Sequence, residues 1–375
     1  MSKLHTRIEV TVELLSPLHI GTGTELLLDY DVVPHGGRTY RVDEEALLEH
    51  ALVAAEAEGA PAVNRLLAGR PAAELLADAD FADPHSPLFR YVMPGTPFTR
   101  TPGAKVQEQI KDVHDRLYVP GSSLKGALRT VLAWGIYTSQ GQKPDLSKLK
   151  RSRSWASQPL EQELFGRSPN YDWLKALHVE DTQPLEPEGH LALRTVHIYP
   201  TETSDSPGLN VDVEAAERGT VFQTAFTVDE YGFSEDVALK LGWKGKRRWI
   251  EQLPALAREH ARQRLLIEAE YYRKRNGPRD AMRFYDRLIN TWSELPDNEL
   301  IVQIGWGAGW ESKTLGSELI RTDDRAFERL LDDYRMTKER DRRPGDPFPQ
   351  SRHLVLRDGR PSEPLGWVHV RLEWD

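Results

Sequence analysis

Alternation of polar and apolar residues predicts the strands of this chain. Residues 7–15 place apolar side chains at every second position from Ile8 to Leu14, which is typical of a strand with one buried face. Further strands are predicted at 28–33, 39–42, 176–181, 192–199, 219–229, 299–304 and 365–372. Segments of helical periodicity separate them. This order indicates two α+β units and not a doubly wound parallel sheet.

A helical pattern follows the Pro-Gly pair at 120–121. Apolar residues then recur at the spacing of one buried helical face: Leu124, Ala127, Leu128, Val131 and Leu132. We expect Ser122 or Ser123 to cap this helix, beside unpaired N–H groups and the positive end of the helix dipole. Lys125 and Arg129 stand four residues apart on one flank. The pattern predicts an anion site, and the alternative is an ordinary core helix with two solvated cations.

Two long helices are predicted at 253–274 and 278–295. The second carries apolar and aromatic residues at helical spacing, which is typical of a core face. Residues 240–287 contain 14 Lys or Arg against 6 Asp or Glu, whereas the whole chain has a net charge of −9. One face of this region is therefore a candidate basic surface, and a solvated charged helical surface is the alternative.

Composition narrows the class of protein. The chain has 375 residues and no cysteine, which excludes disulfides and thiolate metal sites and favours a cytoplasmic location. No apolar run approaches the length of a membrane span, so we expect no membrane partner. Asp112, His114 and Asp115 lie in a long loop, but no further ligand is identifiable beside them. We therefore expect no metal and no other cofactor.

Two loops with several glycines follow predicted strands. The first, at 16–23, contains His19, Gly21 and Gly23, and its glycines permit positive φ or close approach of a ligand to the backbone. The second interleaves glycines with tryptophans, in the order Gly305, Trp306, Gly307, Gly309 and Trp310, and Lys313 follows. Such a loop fits a backbone that lies close to phosphates while flat rings stand beside bases.

The second loop also falls one residue short of a phosphate-binding P-loop, because Ser312 stands where a glycine would precede Lys313. A strand is predicted before the loop, as a P-loop requires. No acidic strand end stands out as a magnesium partner, however, so nucleotide hydrolysis is only a minor alternative.

Three segments together resemble the RAMP superfamily of CRISPR proteins, and they lie at 16–23, 119–129 and 305–310. Within it, the sequence is most similar to the family of fifth subunits of the Csm complex, the type III-A effector, and residues 364–368 resemble that family's ending. The resemblance implies an α+β fold of two ferredoxin-like (RRM-like) RAMP domains with helical insertions. We expect the N-terminal domain at 1–187 and the C-terminal domain at 188–375, with a long helical insertion at about 234–296.

The resemblance also implies a function. A protein of this kind is expected to bind the guide RNA (crRNA) toward its 3′ end, cap the stack of backbone subunits and support crRNA maturation in antiviral defence, without catalysis. Its partners would be crRNA, the other subunits of the type III-A complex, especially the backbone RAMP subunit, and host ribonucleases. We expect RNA contacts from both glycine loops and the helix start, namely His19, Gly21, Gly23, Ser122, Ser123, Lys125, Arg129, Gly305, Gly307, Gly309 and Lys313.

A metal-independent endoribonuclease that processes CRISPR RNA is the main alternative. Some RAMP proteins cleave RNA with a histidine as general base and a 2′-hydroxyl as nucleophile, and His19 is the candidate base here. No Tyr, Lys or second His can be placed beside it from the sequence, so we favour a histidine that packs or hydrogen-bonds locally. A target-cleaving backbone subunit, which works through a loop aspartate, and a protein scaffold without RNA contact are further alternatives.

Overall fold

The computed structural model describes residues 4–58, 70–199, 209–315, 324–337 and 348–374. Within these ranges the strands are β1 (His5–Leu14), β2 (Gly21–Leu27), β3 (Val32–His35), β4 (Arg38–Val42), β5 (Phe89–Pro94), β6 (Lys105–Gln109), β7 (Leu177–Val179), β8 (Leu191–Tyr199), β9 (Asn210–Ala216), β10 (Val221–Asp229), β11 (Glu299–Gln303), β12 (Arg352–Arg357), β13 (Arg360–Pro364) and β14 (Trp367–Trp374). The α-helices described are α1 (Glu44–Glu58), α2 (Gly121–Ser139), α3 (Gln158–Phe165), α4 (Glu235–Leu241), α5 (Arg247–Glu251), α6 (Leu253–Lys274), α7 (Arg279–Ser293), α8 (Gly309–Lys313) and α9 (Asp324–Asp333).

The first sheet has the strand order β11-β14-β1-β10-β7, and all of its neighbouring strands are antiparallel. Strand β1 lies at its centre, and the predicted alternation is confirmed because Ile8, Val10, Val12 and Leu14 are buried. These side chains share one core cluster with the apolar face of α2. The period of two along β1 and the period of 3.6 along α2 therefore meet in one hydrophobic layer.

The second sheet has the order β13-β12-β8-β9-β6-β2, and β3, β4 and β5 form a third, small sheet. Only the β6–β9 pair is parallel among the pairs described. The predicted α+β class is confirmed. Each of the two larger sheets takes strands from both sides of residue 187, and the division into domains at that residue stays a prediction.

Helix α2 begins at Gly121 and has no side-chain cap. The predicted capping by Ser122 or Ser123 is wrong, since both serines lie inside the first turn. The carboxylate of Asp181 instead accepts a hydrogen bond from the Gly121 N–H at 2.7 Å. A Cβ at position 121 would lie 2.2 Å from the carbonyl oxygen of Val179, so the close contact between the helix start and the chain after β7 requires glycine.

The two long helices predicted near the middle of the second half are confirmed as α6 and α7. Tyr285 and Leu288 of α7 are buried, and Met282, Ile289 and Trp292 pack against the same cluster. That cluster also contains Ala261 and Leu265 of α6, so the core role predicted for the α7 stripe is confirmed. No helix in the described ranges combines the length and apolar character needed to cross a bilayer.

Candidate functional site

A cavity of about 780 Å³ lies where the first glycine loop, the start of α2 and the loop after β11 meet. We call it the glycine cleft. Its lining includes seven of the eleven residues predicted to contact RNA, namely His19, Gly21, Gly23, Ser122, Ser123, Gly305 and Lys313. The three segments that carry the sequence resemblance therefore come together in one place, although they are far apart along the chain.

The cleft depends on a crossing of the two glycine loops. Gly305 has a φ of +75°, and a Cβ there would lie 2.6 Å from the carbonyl oxygen of His19. The next residue, Trp306, donates its N–H to that same carbonyl at 2.8 Å. On the other side of the first loop, Leu18 and Ala216 exchange two backbone hydrogen bonds of 2.9 and 2.8 Å. Both the dihedral angle and the close backbone contact explain why position 305 is a glycine.

His19 is held in a fixed orientation in the cleft wall. The residue is 3% exposed, and its Nδ1 lies 2.7 Å from the carbonyl oxygen of Glu214. A carbonyl oxygen only accepts hydrogen bonds, so Nδ1 carries the proton and Nε2 is the acceptor of the neutral ring. Burial lowers the pKa of His19, which keeps the ring neutral at pH 7. The ring of Trp306 packs edge-on against it, with 5.9 Å between centroids.

A buried cluster of polar groups supports this wall. The Glu214 carboxylate is fully buried and accepts hydrogen bonds from the Lys111 ammonium at 2.5 Å and the Tyr91 hydroxyl at 2.7 Å. It also accepts the backbone N–H of Gln109 at 3.0 Å. The carboxylate is thus paired and hydrogen-bonded, as a buried charge must be. Lys111 is a structural cation, which joins β9 to the chain after β6.

Lys313 is the cation of the cleft lining, and it is exposed at the end of α8. No hydrogen bond or ion pair of its ammonium is described within the ranges that the structure covers. Partial burial lowers the pKa of Lys313, and no carboxylate among the described residues opposes that effect. An anionic ligand would stabilise the charged form of such a partly desolvated ammonium group.

The structure does not bring Lys125 and Arg129 into the cleft. The Lys125 ammonium donates to the carbonyl oxygen of Leu177 at 2.7 Å, and burial lowers its pKa. The Arg129 guanidinium donates to Asp172 at 2.6 Å and to Glu161 at 3.3 Å. These cations therefore join α2 to neighbouring segments on a flank that does not line the cleft.

Gly307 and Gly309 lie just beyond the cleft, where the second loop turns into α8. Their φ values are +85° and +76°, and a Cβ at 307 would lie 3.3 Å from the Cβ of His353. The two tryptophans of the loop have different surroundings. Trp306 lines the cleft, whereas Trp310 packs edge-on against two phenylalanine rings. Trp306 is therefore the ring that the second loop presents to the cleft.

Sequence reasoning missed a buried ionic network that connects α6 to the cleft. Arg264 donates to Glu268 at 2.8 Å and to the Ser312 hydroxyl at 3.4 Å, and Ser312 donates to Gln303 at 2.7 Å. Glu268 also accepts from Arg352 at 2.7 Å. Burial alone would raise the pKa of Glu268, but the two guanidinium groups outweigh burial and lower it. The spacing of Arg264 and Glu268, four residues apart, was the available signal.

The remaining acidic loop candidates are engaged in ion pairs. Asp112 accepts from the Arg116 side chain at 2.9 Å, and Asp115 accepts from Arg90 at 2.9 Å. In the described part of the chain, no group of three or more His, Cys, Asp or Glu residues is arranged to hold a metal ion. These carboxylates shape the loop before α2.

Comparison with known proteins identifies relatives that span most of the chain. The family model described as the RAMP superfamily matches residues 11–312. A curated protein of Methanocaldococcus jannaschii, "CRISPR system Cms protein Csm5", is 22% identical over 272 residues, which cover 68% of this chain. The matched region spans 62% of the length of that relative.

Two solved structures share the fold. A chain in the cryo-EM structure of a Csm–crRNA–target RNA ternary complex of a type III-A CRISPR-Cas system superposes with a TM-score of 0.70 and 24% identity, covering 98% of this chain and all of that one. The crystal structure of T. onnurineus Csm5 has a TM-score of 0.64 and 23% identity, covering 96% of this chain and 99% of that one. The fold is therefore the one found in Csm5 structures.

Proposed function

The chain belongs to the RAMP superfamily, and from this premise we propose that it is a non-catalytic guide-RNA-binding subunit of a type III-A CRISPR effector complex. The glycine cleft is the proposed RNA-binding site. The similarity to a subunit of a Csm–crRNA–target RNA complex over nearly the whole chain supports this function, as does the similarity to a Csm5 protein.

The chemistry of the cleft is the observation that carries the proposal. Ser122 and Ser123 offer hydroxyl groups, and Trp306 offers a ring. No atom outside the helix lies within 4 Å of where a Cβ at Gly126 would stand, so a ligand can approach the α2 backbone closely. Lys313 offers an unpaired positive charge. Single-stranded RNA is bound by this combination of hydroxyl and backbone donors, cations and flat rings.

The Asp181 carboxylate limits how the start of α2 can contribute to RNA binding. It already accepts the N–H of Gly121, so the first donor of α2 is satisfied within the protein. We propose that the serine hydroxyls and Lys313 make the phosphate contacts, and that the absence of a side chain at Gly126 lets the RNA come close to α2. Gly23, where a Cβ would have open space, allows the RNA backbone to pass close to the first loop, whereas Gly305 serves the crossing of the two loops.

The structure adds a second candidate residue to the endoribonuclease alternative. Lys313 lines the same cleft as His19, whereas the sequence could not place a lysine beside that histidine. They are the titratable groups of that lining among the residues described. The neutral His19 ring has an acceptor at Nε2, as a general base requires. We favour binding over catalysis because the ring is 3% exposed and fixed between Glu214 and Trp306.

The proposed role implies a cytoplasmic protein that assembles with crRNA and the other subunits of the complex. We propose that it caps the stack of backbone RAMP subunits at the 3′ end of the guide and supports crRNA maturation in antiviral defence through host ribonucleases. The net charge of −9 leaves acidic surface outside the cleft that suits contacts with basic protein surfaces.

A single experiment tests binding and catalysis together. The full chain is incubated with an end-labelled single-stranded RNA of guide length, with and without EDTA, and both retention and cleavage are scored. We expect salt-sensitive retention of intact RNA. Lys313→Ala should weaken binding about tenfold, as expected for loss of one charge-assisted contact, and should flatten the salt dependence by about 0.7 in log–log slope.

The exposed lysine Lys175, which lines neither the cleft nor a neighbouring cavity and has no described ion pair, provides the matched control Lys175→Ala. Equal losses in the two variants would remove the cleft assignment. Cleavage in EDTA that disappears in His19→Ala would replace the binding function with the nuclease. Absence of both retention and cleavage would contradict the proposed RNA-binding function of the chain.

A further inference from the structure

A second cavity of about 520 Å³ lies beside the glycine cleft, and we call it the side pocket. Residues of α2, α3, α8 and α9 and of the loop at 144–157 line it. The two cavities share Thr130 and Lys313 in their linings, so the side pocket lies directly beside the proposed RNA path. Its volume falls in the range of cavities that enclose small organic ligands.

The floor of the side pocket is apolar. Ala133, Leu160 and Leu164 are buried residues that line it. Trp310 and Tyr334 add aromatic rings to the lining. An apolar surface of this kind binds the flat face of a base better than it binds a charged group.

Two cations of the lining have no described protein partner. No hydrogen bond or ion pair is described for Arg153 or Lys313 within the covered ranges. The two other charged residues of the lining, Arg129 and Glu161, pair with each other. The side pocket therefore offers, beside an apolar floor, two positive charges that no residue in the described ranges pairs with.

The wall that carries Arg153 is held in place by several contacts. The Tyr334 hydroxyl donates to the carbonyl oxygen of Lys150 at 2.6 Å, and Lys148 forms an ion pair with Glu163 of α3 at 3.0 Å. The N–H of Lys150 donates to the carbonyl oxygen of Ala156 at 3.2 Å. The loop is thus tied to α3 and to Tyr334, the residue that follows α9.

From this arrangement we infer that the side pocket holds one unstacked base of the RNA whose backbone lies in the glycine cleft. This inference rests on the proposed function. Lys313 contacts the phosphate at the boundary between the two cavities, where the backbone leaves the cleft and passes over the rim of the side pocket, and the exposed Arg153 contacts the next phosphate along that rim. The apolar floor and the rings match the base of one nucleotide, and the two cations match its two flanking phosphates. An acidic protein segment would satisfy the cations but would leave the apolar floor without a matching surface.

Photocrosslinking tests the inference directly. Single-stranded RNAs of guide length, each with one 4-thiouridine at a different position, are bound to the full chain and irradiated, and the linked residues are identified by mass spectrometry. We expect one RNA position to link to Trp310, Tyr334 or a neighbouring residue of the side pocket. Neighbouring positions should link to the glycine cleft.

Two pairs of variants separate the side pocket from the cleft. Arg153→Ala should weaken RNA binding several-fold, whereas Arg151→Ala, an exposed arginine two residues away that does not line the pocket, should not. Ala156→Trp fills the pocket and should weaken binding about tenfold, the loss expected for one stacked base. Its control is Ala82→Trp, at an exposed alanine outside both linings.

The outcomes distinguish the two proposals. Wild-type binding in Arg153→Ala and Ala156→Trp, with crosslinks confined to the cleft, would overturn the base pocket and leave RNA binding in the cleft intact. If the variants retain RNA but lose association with another subunit, the pocket holds a protein segment and the inference is wrong. If the wild-type chain retains no RNA, both proposals fail.

Discussion

The two flanks of helix α2 differ in what they offer to a ligand. One flank carries Lys125 and Arg129, whose charges are taken up by Leu177, Asp172 and Glu161. The other flank carries small and hydroxyl residues that line the glycine cleft, and its positive charge comes from Lys313 on a different helix. A cation is available to a ligand only where the fold leaves it unpaired, so the more basic flank is the less suitable one for binding RNA.

Gly121 and Gly126 give the largest expected contrast within this helix. A Cβ at Gly121 would lie 2.2 Å from the carbonyl oxygen of Val179, whereas one at Gly126 has open space. Gly121→Ala should lower the free energy of unfolding by about 3 kcal/mol because backbone must move. Gly126→Ala, the matched control, should raise it by about 0.5–1 kcal/mol through helix propensity. Urea denaturation measures both, and equal effects would contradict the packing described for the helix start.

The pH dependence of stability tests the packing around Trp306 on the cleft side of the molecule. Burial lowers the pKa of His353, whose ring packs edge-on against Trp306, from 6.5 to about 4. Between these values the unfolded chain binds more protons than the folded chain, so stability falls as the pH is lowered through this window. His353→Gln should reduce the loss of unfolding free energy between pH 7 and pH 5 by about 1–2 kcal/mol.

Denaturant unfolding at the two pH values measures this effect. The exposed His178 provides the control variant His178→Gln. A variant at position 353 that retains the full wild-type pH dependence would contradict the assignment to this ring.

Substitution on the paired flank should have a smaller effect, mainly on stability. Arg129→Ala removes two ion pairs from a side chain that is 30% exposed, so we expect a loss of about 1 kcal/mol in the free energy of unfolding. Arg129 also lines the side pocket, but its charge is paired there with Glu161, so RNA affinity of the folded protein should change much less than in Lys313→Ala. Comparison with Lys313→Ala, which should change affinity and leave stability nearly unaltered, sharpens the difference between the flanks. A loss of RNA affinity in Arg129→Ala as large as that in Lys313→Ala would show that this flank also contacts the ligand.

Local sequence patterns were sufficient to predict the strands and helices but not the polar groups that hydrogen-bond to them. The alternation in β1 and the periodicity of α6 and α7 follow from neighbours in sequence, and these elements were predicted correctly. The cap of α2 was not predicted correctly, because Asp181, which accepts the hydrogen bond of the Gly121 N–H, lies 60 residues away in the sequence.

The same limit applies to the candidate site. The glycine loops carry a local signal in their composition, so both could be selected from the sequence. Arg129 looked available because its partners Asp172 and Glu161 lie 43 and 32 residues away. Arg264 and Glu268 lie in the charged region for which the sequence left open a basic surface or a solvated helical surface, but contacts with Arg352 and Ser312 bury them. A pattern of charges predicts a helix face, and only the tertiary fold determines which charges are neutralised.

The loop crossing at His19 and Gly305 has a consequence for folding during translation. Strand β1 pairs with β10 and β14, and the Ser16 hydroxyl accepts the N–H of Trp367, 351 residues further along. Contacts of such high sequence separation form late, after most of the polypeptide has been translated. A nascent chain therefore has no assembled cleft, and an incompletely synthesised copy lacks the proposed RNA-binding surface.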